Sequence, residues 1–117
     1  MYILGVGVLG QIAFEILSRS KIDVKGFYDD FYDGEFFYGV PFFGQFENLL
    51  IGDTNLQKNI FIAIGDNQKR KNCYNSLKSK NFRFPNIIDP SVTIFPSVKL
   101  GMGNLILPNV FLAQNLQ

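Results

Sequence analysis

The sequence contains no histidine, so imidazole is excluded from any acid–base or metal-binding chemistry carried by these residues. It contains one cysteine, Cys73, so no internal disulfide can form, and the composition predicts a reducing, cytoplasmic setting. Charge of one sign is also lacking: 11 Lys and Arg against 10 Asp and Glu leave a net charge of +1, and no overall field favours nucleic acid or an acidic surface. No run approaches the roughly 18 apolar residues of a membrane span. The first residues form an apolar, strand-like run with neither a basic leader nor a small-residue cleavage site, which predicts a soluble protein. What is present is apolar: hydrophobic residues make up 47% of 117, enough for one compact core.

The most regular stretch is the last thirty residues. From Ile88 every sixth residue is aliphatic, through Ile94, Leu100, Ile106 and Leu112. A second series, Val92, Val98, Asn104, Val110 and Leu116, follows four positions behind, broken only at Asn104. A helix repeats near 3.6 residues and a strand near 2, so a period of six fits neither. It fits a parallel β-helix, in which each hexapeptide supplies one short side of a coil and one inward side chain. Turn residues fall between the aliphatic ones: Asp89-Pro90-Ser91, Pro96-Ser97, Gly101-Met102-Gly103-Asn104 and Pro108-Asn109. An ordinary β segment with accidental spacing is the bland alternative.

Earlier in the chain, strand and helix patterns alternate, which predicts a small parallel sheet of about four strands covered by helices over 1–87. Tyr2-Ile3-Leu4 reads as a first strand, and Gln11 to Ser20 as a first helix with Ile12, Ala13, Ile16 and Leu17 on one side. Between them lies Gly5-Val6-Gly7-Val8-Leu9-Gly10, a G-x-G-x-x-G run in the strand-to-helix context that lets a pyrophosphate approach backbone N–H groups at a helix N-terminus. A glycine turn that merely joins two elements is the competing reading. Ile22 to Tyr28 reads as a second strand ending in Asp29-Asp30, which lie 19 and 20 residues after Gly10. An acid near that spacing accepts hydrogen bonds from a ribose in dinucleotide-binding folds; two solvated loop aspartates would look the same in sequence.

Residues 27–46 gather ten of the chain's 18 aromatics beside Asp29, Asp30, Asp33 and Glu35. Most of these rings are expected to pack under a loop or at a contact, with a ligand role for one or two. Asp33-Gly34 and Gly39-Val40-Pro41 mark turns. Gln45 to Ile51 predicts a short helix, Asp53-Thr54-Asn55 a loop, and Asn59 to Ile64 a buried strand. Gly65-Asp66-Asn67 follows that strand, with Asn67 as the candidate cap of a helix running to about Lys78. That helix carries Lys69, Arg70 and Lys71 on a face expected to be solvated, with Arg70, nearest the strand end, as the possible exception. Cys73 reads as a small core residue, since no histidine is present to activate it. Phe82 to Ile87 predicts a last strand. Ligands of such sheets bind at the carboxyl ends of the strands, where Gly5–Gly10, Asp29-Asp30 and Gly65-Asp66-Asn67 all fall.

Taken together, these pieces resemble the bacterial sugar acetyltransferases of surface-glycan biosynthesis, the group that holds sialic-acid O-acetyltransferases and UDP-4-amino-sugar N-acetyltransferases. The resemblance spans essentially the whole chain. It rests on the glycine run, Asp29-Asp30, Gly39-Val40-Pro41-Phe42-Phe43-Gly44, Ile62-Ala63-Ile64-Gly65-Asp66-Asn67 with Arg70, and Ile88-Asp89-Pro90-Ser91-Val92 leading into the hexads. It implies a Rossmann-like domain over 1–87 that binds a UDP-sugar, followed over 88–117 by the first hexapeptide repeats of a left-handed β-helix. The substrate-binding residues it implies are Gly5, Gly7, Val8, Leu9, Gly10, Asp29, Asp30, Gly65, Asp66, Asn67 and Arg70. It implies acetyl-CoA as acyl donor and a homotrimer once the β-helix is complete. The family's catalytic histidine and acetyl-CoA site lie further along a longer β-helix than these repeats form. No catalytic residue and no metal ligand is therefore assigned to this chain, which is expected to be a fragment or a short binding form, the uncapped Leu116-Gln117 favouring a fragment. An NAD-type dinucleotide-binding domain and a non-enzymatic assembly module are the alternatives.

Overall fold

The computed structural model describes residues 1–52 and 56–112. The expected loop at Asp53-Thr54-Asn55, and Leu116 and Gln117, lie outside them.

Thirteen short elements follow one another among the described residues: β1 (Tyr2–Leu4), α1 (Val8–Arg19), β2 (Gly26–Tyr28), β3 (Phe36–Phe37), β4 (Val40–Pro41), α2 (Glu47–Leu50), β5 (Lys58–Ile62), α3 (Asn67–Leu77), β6 (Phe82–Arg83), β7 (Ile87–Ile88), β8 (Thr93–Ile94), β9 (Leu105–Ile106) and β10 (Phe111–Leu112). The main sheet has the order β2-β1-β5-β6 and every pair in it is parallel. Such a sheet needs both faces covered. The register puts Ile3 beside Phe27 and Phe61, and Leu4 beside Tyr28 and Ile62. Alternation then sends the first set to one face and the second to the other. Ile3, Phe27 and Phe61 pack with Ala13, Ile16 and Leu17 of α1. Leu4, Tyr28, Ile60 and Ile62 pack with Leu49 of α2 and Leu77 of α3. The result is three layers, with α1 on one side of the sheet and α2 and α3 on the other.

Helix α1 begins at Val8, three residues before the expected start, so the last glycine of the motif lies inside its first turn. Gly10 permits this because it has no side chain: a Cβ there would stand 1.9 Å from the Gly5 carbonyl oxygen. The helix ends in a Schellman turn. Lys21 N–H donates to Ser18 O, Ile22 N–H donates to Leu17 O, and Lys21 holds a left-handed φ of 58°. That turn consumes the residues expected to open the second strand, and β2 is confined to Gly26–Tyr28.

The aromatic stretch forms a hairpin. Its turn is Tyr38-Gly39, both at positive φ (52° and 73°) as a two-residue hairpin turn requires. Val40-Pro41, expected within a turn, instead forms the returning strand β4, where proline is tolerated because the strand lies at an edge. The chain then runs beside β2, with Phe43 N–H on Phe27 O and Asp29 N–H on Gly44 O. The strand expected over Phe82 to Ile87 is two strands: β6 pairs with β5, and β7 beyond Pro85 pairs with β9.

From β7 onward the described residues contain no helix, and the pairing changes character. Ile87 pairs with Leu105 and Ile88 with Ile106; Thr93 pairs with Phe111 and Ile94 with Leu112. Both ladders are parallel and both join residues 18 apart, three hexads in each case. Members of the aliphatic series thus stack on one another. Ile106 is buried, whereas Leu100 is 38% exposed. Ile87 belongs at once to this ladder and to the core under α1.

Candidate functional site

At the carboxyl ends of β1, β2 and β5 the sheet opens into a cleft of about 450 Å³. Its lining includes Leu4, Gly5 and Gly7 from the first strand and turn, and Asp29, Asp30 and Phe31 from the end of β2. Ala63 and Ile64 line it after β5, as does Phe46 before α2. One face of α3, presenting Lys69, Asn72, Cys73 and Ser76 at helical spacing, closes it.

The three glycines differ in what they do. Gly5 has φ of +117°, and a Cβ on it would stand 2.4 Å from the Ala63 carbonyl oxygen, so the turn fits tightly between β1 and β5. Gly7 precedes the first turn of α1 as its N-cap, makes no side-chain cap, and a Cβ there would meet nothing within 4 Å. It is the open point of the turn, at the end of α1 where backbone N–H groups are unpaired and the dipole is positive. Gly10 packs helix against turn, as described above.

Asp29 is occupied by the protein itself. Its Oδ2 accepts from Val6 N–H at 2.9 Å and its Oδ1 from Phe31 N–H at 2.8 Å. The carboxylate therefore ties the glycine turn to the end of β2. Asp30 Oδ1 accepts from Phe46 N–H at 2.9 Å, which draws α2 to the cleft. Phe31 is 88% exposed, with Lys69 Nζ 5.4 Å from its ring centroid. Partial burial raises the Cys73 thiol pKa, the Asp30 charge raises it further and Lys69 opposes, so this thiol stays protonated at neutral pH.

The remaining expected site residues are placed around the cleft or beyond it. Val8 and Leu9 lie in the first turn of α1, Val8 at 72% exposure. Gly65 is exposed, 4.0 Å from Leu9 Cδ1 where its Cβ would be. The cap of α3 is Asp66 and not Asn67: Asp66 Oδ1 accepts from Lys69 N–H at 2.9 Å. Asn67 and Arg70 lie on the other face of α3. There they line a second cleft of about 340 Å³ with Lys71, Tyr74, Phe84, Met102 and Gly103. Arg70 Nη1 donates to Ile64 O at 3.0 Å and Nη2 donates to Asn67 Oδ1. The guanidinium therefore holds the end of β5. Phe31, Phe46, Lys69, Asn72 and Ser76 were not singled out from the sequence. The signal that could have found them is the i, i+3, i+4, i+7 spacing of Lys69, Asn72, Cys73 and Ser76 on a helix that starts at a strand end.

The clefts that reach the repeats, one through Met102 and Gly103 and one through Ile87 and Ile88, take most of their lining from the sheet and its helices. No helix among the described residues is long and apolar enough to cross a membrane.

Residues 1–77 match the family described as the PglD N-terminal domain. Perosamine N-acetyltransferase from Caulobacter crescentus, solved in complex with CoA and GDP-perosamine, superposes with a TM-score of 0.84 at 28% identity, covering 94% of this chain and 52% of that one. The acetyltransferase domain of PglB from Neisseria gonorrhoeae, in complex with acetyl coenzyme A, superposes with a TM-score of 0.77 at 21% identity, a likeness of fold alone, covering 95% of this chain and 57% of that one. A protein of Acanthamoeba polyphaga mimivirus is 28% identical over 107 residues, 91% of this chain and 21% of its own length. This chain thus spans about half the length of the solved structures it matches, and less of the viral protein.

Proposed function

We propose that this chain, which belongs to the PglD N-terminal domain family and corresponds to the N-terminal part of a sugar acetyltransferase, holds a nucleotide sugar in the cleft at the carboxyl edge of its sheet. The observation that carries the reading is the position of Gly7. It is the open residue at the N-terminus of α1, and it shares one cleft with Asp29, Asp30 and the exposed ring of Phe31. Phosphate oxygens approach the backbone N–H groups at Gly7 and the first turn of α1. Asp29 supports that turn through Val6 and keeps acceptor capacity for a ribose hydroxyl. Phe31 and Asp30 mark the end of the cleft where the base would lie. The perosamine N-acetyltransferase was solved with GDP-perosamine, and the sequence resemblance pointed to UDP-sugars; pyrophosphate and sugar are common to both.

The division of labour follows the change in pairing. Residues 1–87 bind the nucleotide sugar, and 88–117 begin a β-helix. The 18-residue register of both ladders supports one coil per three hexads, left-handed by resemblance. Completed coils of neighbouring copies would form the homotrimer and the acetyl-CoA site that the resemblance implies. The chain has no histidine, so its own residues hold and orient the acceptor sugar and are given no proton-transfer role. Isothermal titration with GDP- and UDP-sugars and with NAD tests this. A nucleotide sugar should bind and Gly7→Val should abolish the binding. Tight NAD binding with no response to any nucleotide sugar overturns the reading.

A further inference from the structure

We propose that Gln11 is a positioning residue of this cleft: it fixes the peptide between Val6 and Gly7 so that the Gly7 N–H faces the phosphates, and Tyr38, at the tip of the aromatic hairpin, holds Gln11 in that orientation. This rests on the nucleotide-sugar reading of the same cleft. Neither Gln11 nor Tyr38 lines the cleft, so both act through the glycine turn. Gln11 Nε2 donates to Val6 O at 3.2 Å. The C=O and N–H of a trans peptide point in opposite directions, and no peptide among the described residues is cis. A bond that holds Val6 O toward Gln11 therefore turns the Gly7 N–H away from Gln11, to the side where Gly7 lines the cleft. That N–H has no acceptor among the described residues. The peptide before Val6 is held as well, by Val6 N–H on Asp29 Oδ2 at 2.9 Å. Val6 is thus clamped from both sides. Gly7 has no side chain to fix it and takes its direction from that clamp.

Gln11 is itself oriented. A side-chain amide can turn either end toward Val6, and only its nitrogen can donate there. The Tyr38 hydroxyl donates to Gln11 Oε1 at 3.3 Å, which leaves Nε2 facing Val6 O. Packing seats Tyr38 for this contact. Its ring stacks on Phe14, with centroids 4.9 Å apart and planes 20° from parallel. Phe14 lies three residues after Gln11 on α1, and that spacing puts both on one face of the helix. A polar relay therefore runs from the hairpin tip, across α1, to the turn that meets the phosphates. It preorganises a donor before any ligand arrives.

Titration with UDP and with GDP, which share the diphosphate, tests the inference. Gln11→Met keeps the length and helix preference of the side chain and removes the donor. It should weaken both nucleotides by the same factor, about fivefold, because the phosphate end is common to them. Its Tm should stay near that of the parent, and the Gly7 amide resonance of the free chain should move. Tyr38→Phe keeps the ring on Phe14 and removes the hydroxyl. It should weaken both nucleotides by about twofold in the parent and have no further effect in the Gln11→Met background. Parent-like affinity in Gln11→Met overturns the inference and leaves the nucleotide reading standing. A loss of affinity with the Gly7 amide unmoved does the same, since it marks a role in stability alone. Equal losses from Tyr38→Phe in both backgrounds overturn the relay. Binding of neither nucleotide to the unaltered chain overturns the inference and the nucleotide reading together.

Discussion

Arg19 Nη1 lies 2.8 Å from Asp89 Oδ1, so an exposed guanidinium on α1 pairs with a carboxylate whose side chain is wholly buried at the start of the repeats. Among the described residues Oδ1 has this ion pair and no aligned hydrogen bond. Oδ2 accepts from both the Ser91 N–H, at 2.9 Å, and the Ser91 hydroxyl, at 2.5 Å. The same hydroxyl oxygen accepts from Asn109 N–H, at 2.7 Å, 18 residues further along the chain. One buried acid thus joins α1, the first turn of the repeats and the turn stacked on it.

The Ser91 hydroxyl holds the Asp89 carboxyl below the usual carboxylate range; burial opposes it, and the Ser91 N–H and Arg19 add to the lowering. A depressed folded pKa means that the stabilisation is present above the unfolded value, near 3.9, and is lost as pH falls through the folded value. Asp89→Asn should lower the Tm at pH 7, and the gap between variant and parent should narrow below about pH 4. Thermal melts by circular dichroism across that range check it; a gap that does not change with pH would refute the linkage.

Gly7 and Gly10 should respond oppositely to a small side chain. Gly10→Ala drives a methyl into the Gly5 carbonyl, 1.9 Å away, and should cost about 1–3 kcal/mol of stability. Gly7→Ala meets no atom within 4 Å, so its Tm should stay near that of the parent, while nucleotide affinity falls because the methyl stands where phosphate approaches. Melts paired with nucleotide titration separate the two effects.

Asp29→Ala should weaken nucleotide binding even without a direct contact to the ligand. It releases Val6 N–H and Phe31 N–H, each bonded to a charged acceptor, and such bonds are worth about 1.5–3 kcal/mol apiece. Amide exchange should rise at Val6 and Phe31 in the free protein. Unchanged exchange there would show that the turn holds itself.

Lys21 sits at the left-handed position that ends α1, with φ of 58°. Lys21→Gly removes the Cβ strain and should stabilise by about 0.5–1 kcal/mol. Asp66→Ala removes the cap on Lys69 N–H and should cost about 1 kcal/mol. Chemical denaturation resolves both changes, and neither should alter the main sheet.

Much of this was legible in the sequence. The period of six from Ile88 marked the stretch whose parallel ladders join residues 18 apart, a multiple of that period. Tyr2-Ile3-Leu4 and the glycine run marked the central strand and its turn, because a buried parallel strand and a side-chain-free bend each leave a local signature. The Schellman turn at Lys21 was not legible, since it uses a lysine where glycine is the usual sign, and it shortened β2. Asp66 displaced Asn67 as cap because both residues suit that role and only the entry angle of the chain decides between them. The ion pair of Arg19 with Asp89 joins residues 70 apart in sequence, and Asp89 read as one of the turn residues between the hexads. Phe31 could not be told from its packed neighbours by composition.

Ile87 has a double membership, in the core under α1 and in the ladder with Leu105, so one side chain is shared by the sheet and the repeats. The costliest closure in the main sheet is the one that brings β1 beside β5, where Tyr2 meets Ile60 across about half of the chain. Each later pairing then closes a ring of 18 residues, at small and nearly constant entropic cost. A smaller side chain at Ile87 would therefore loosen two structures at once, the seat of α1 on the sheet and the first rung of the repeats.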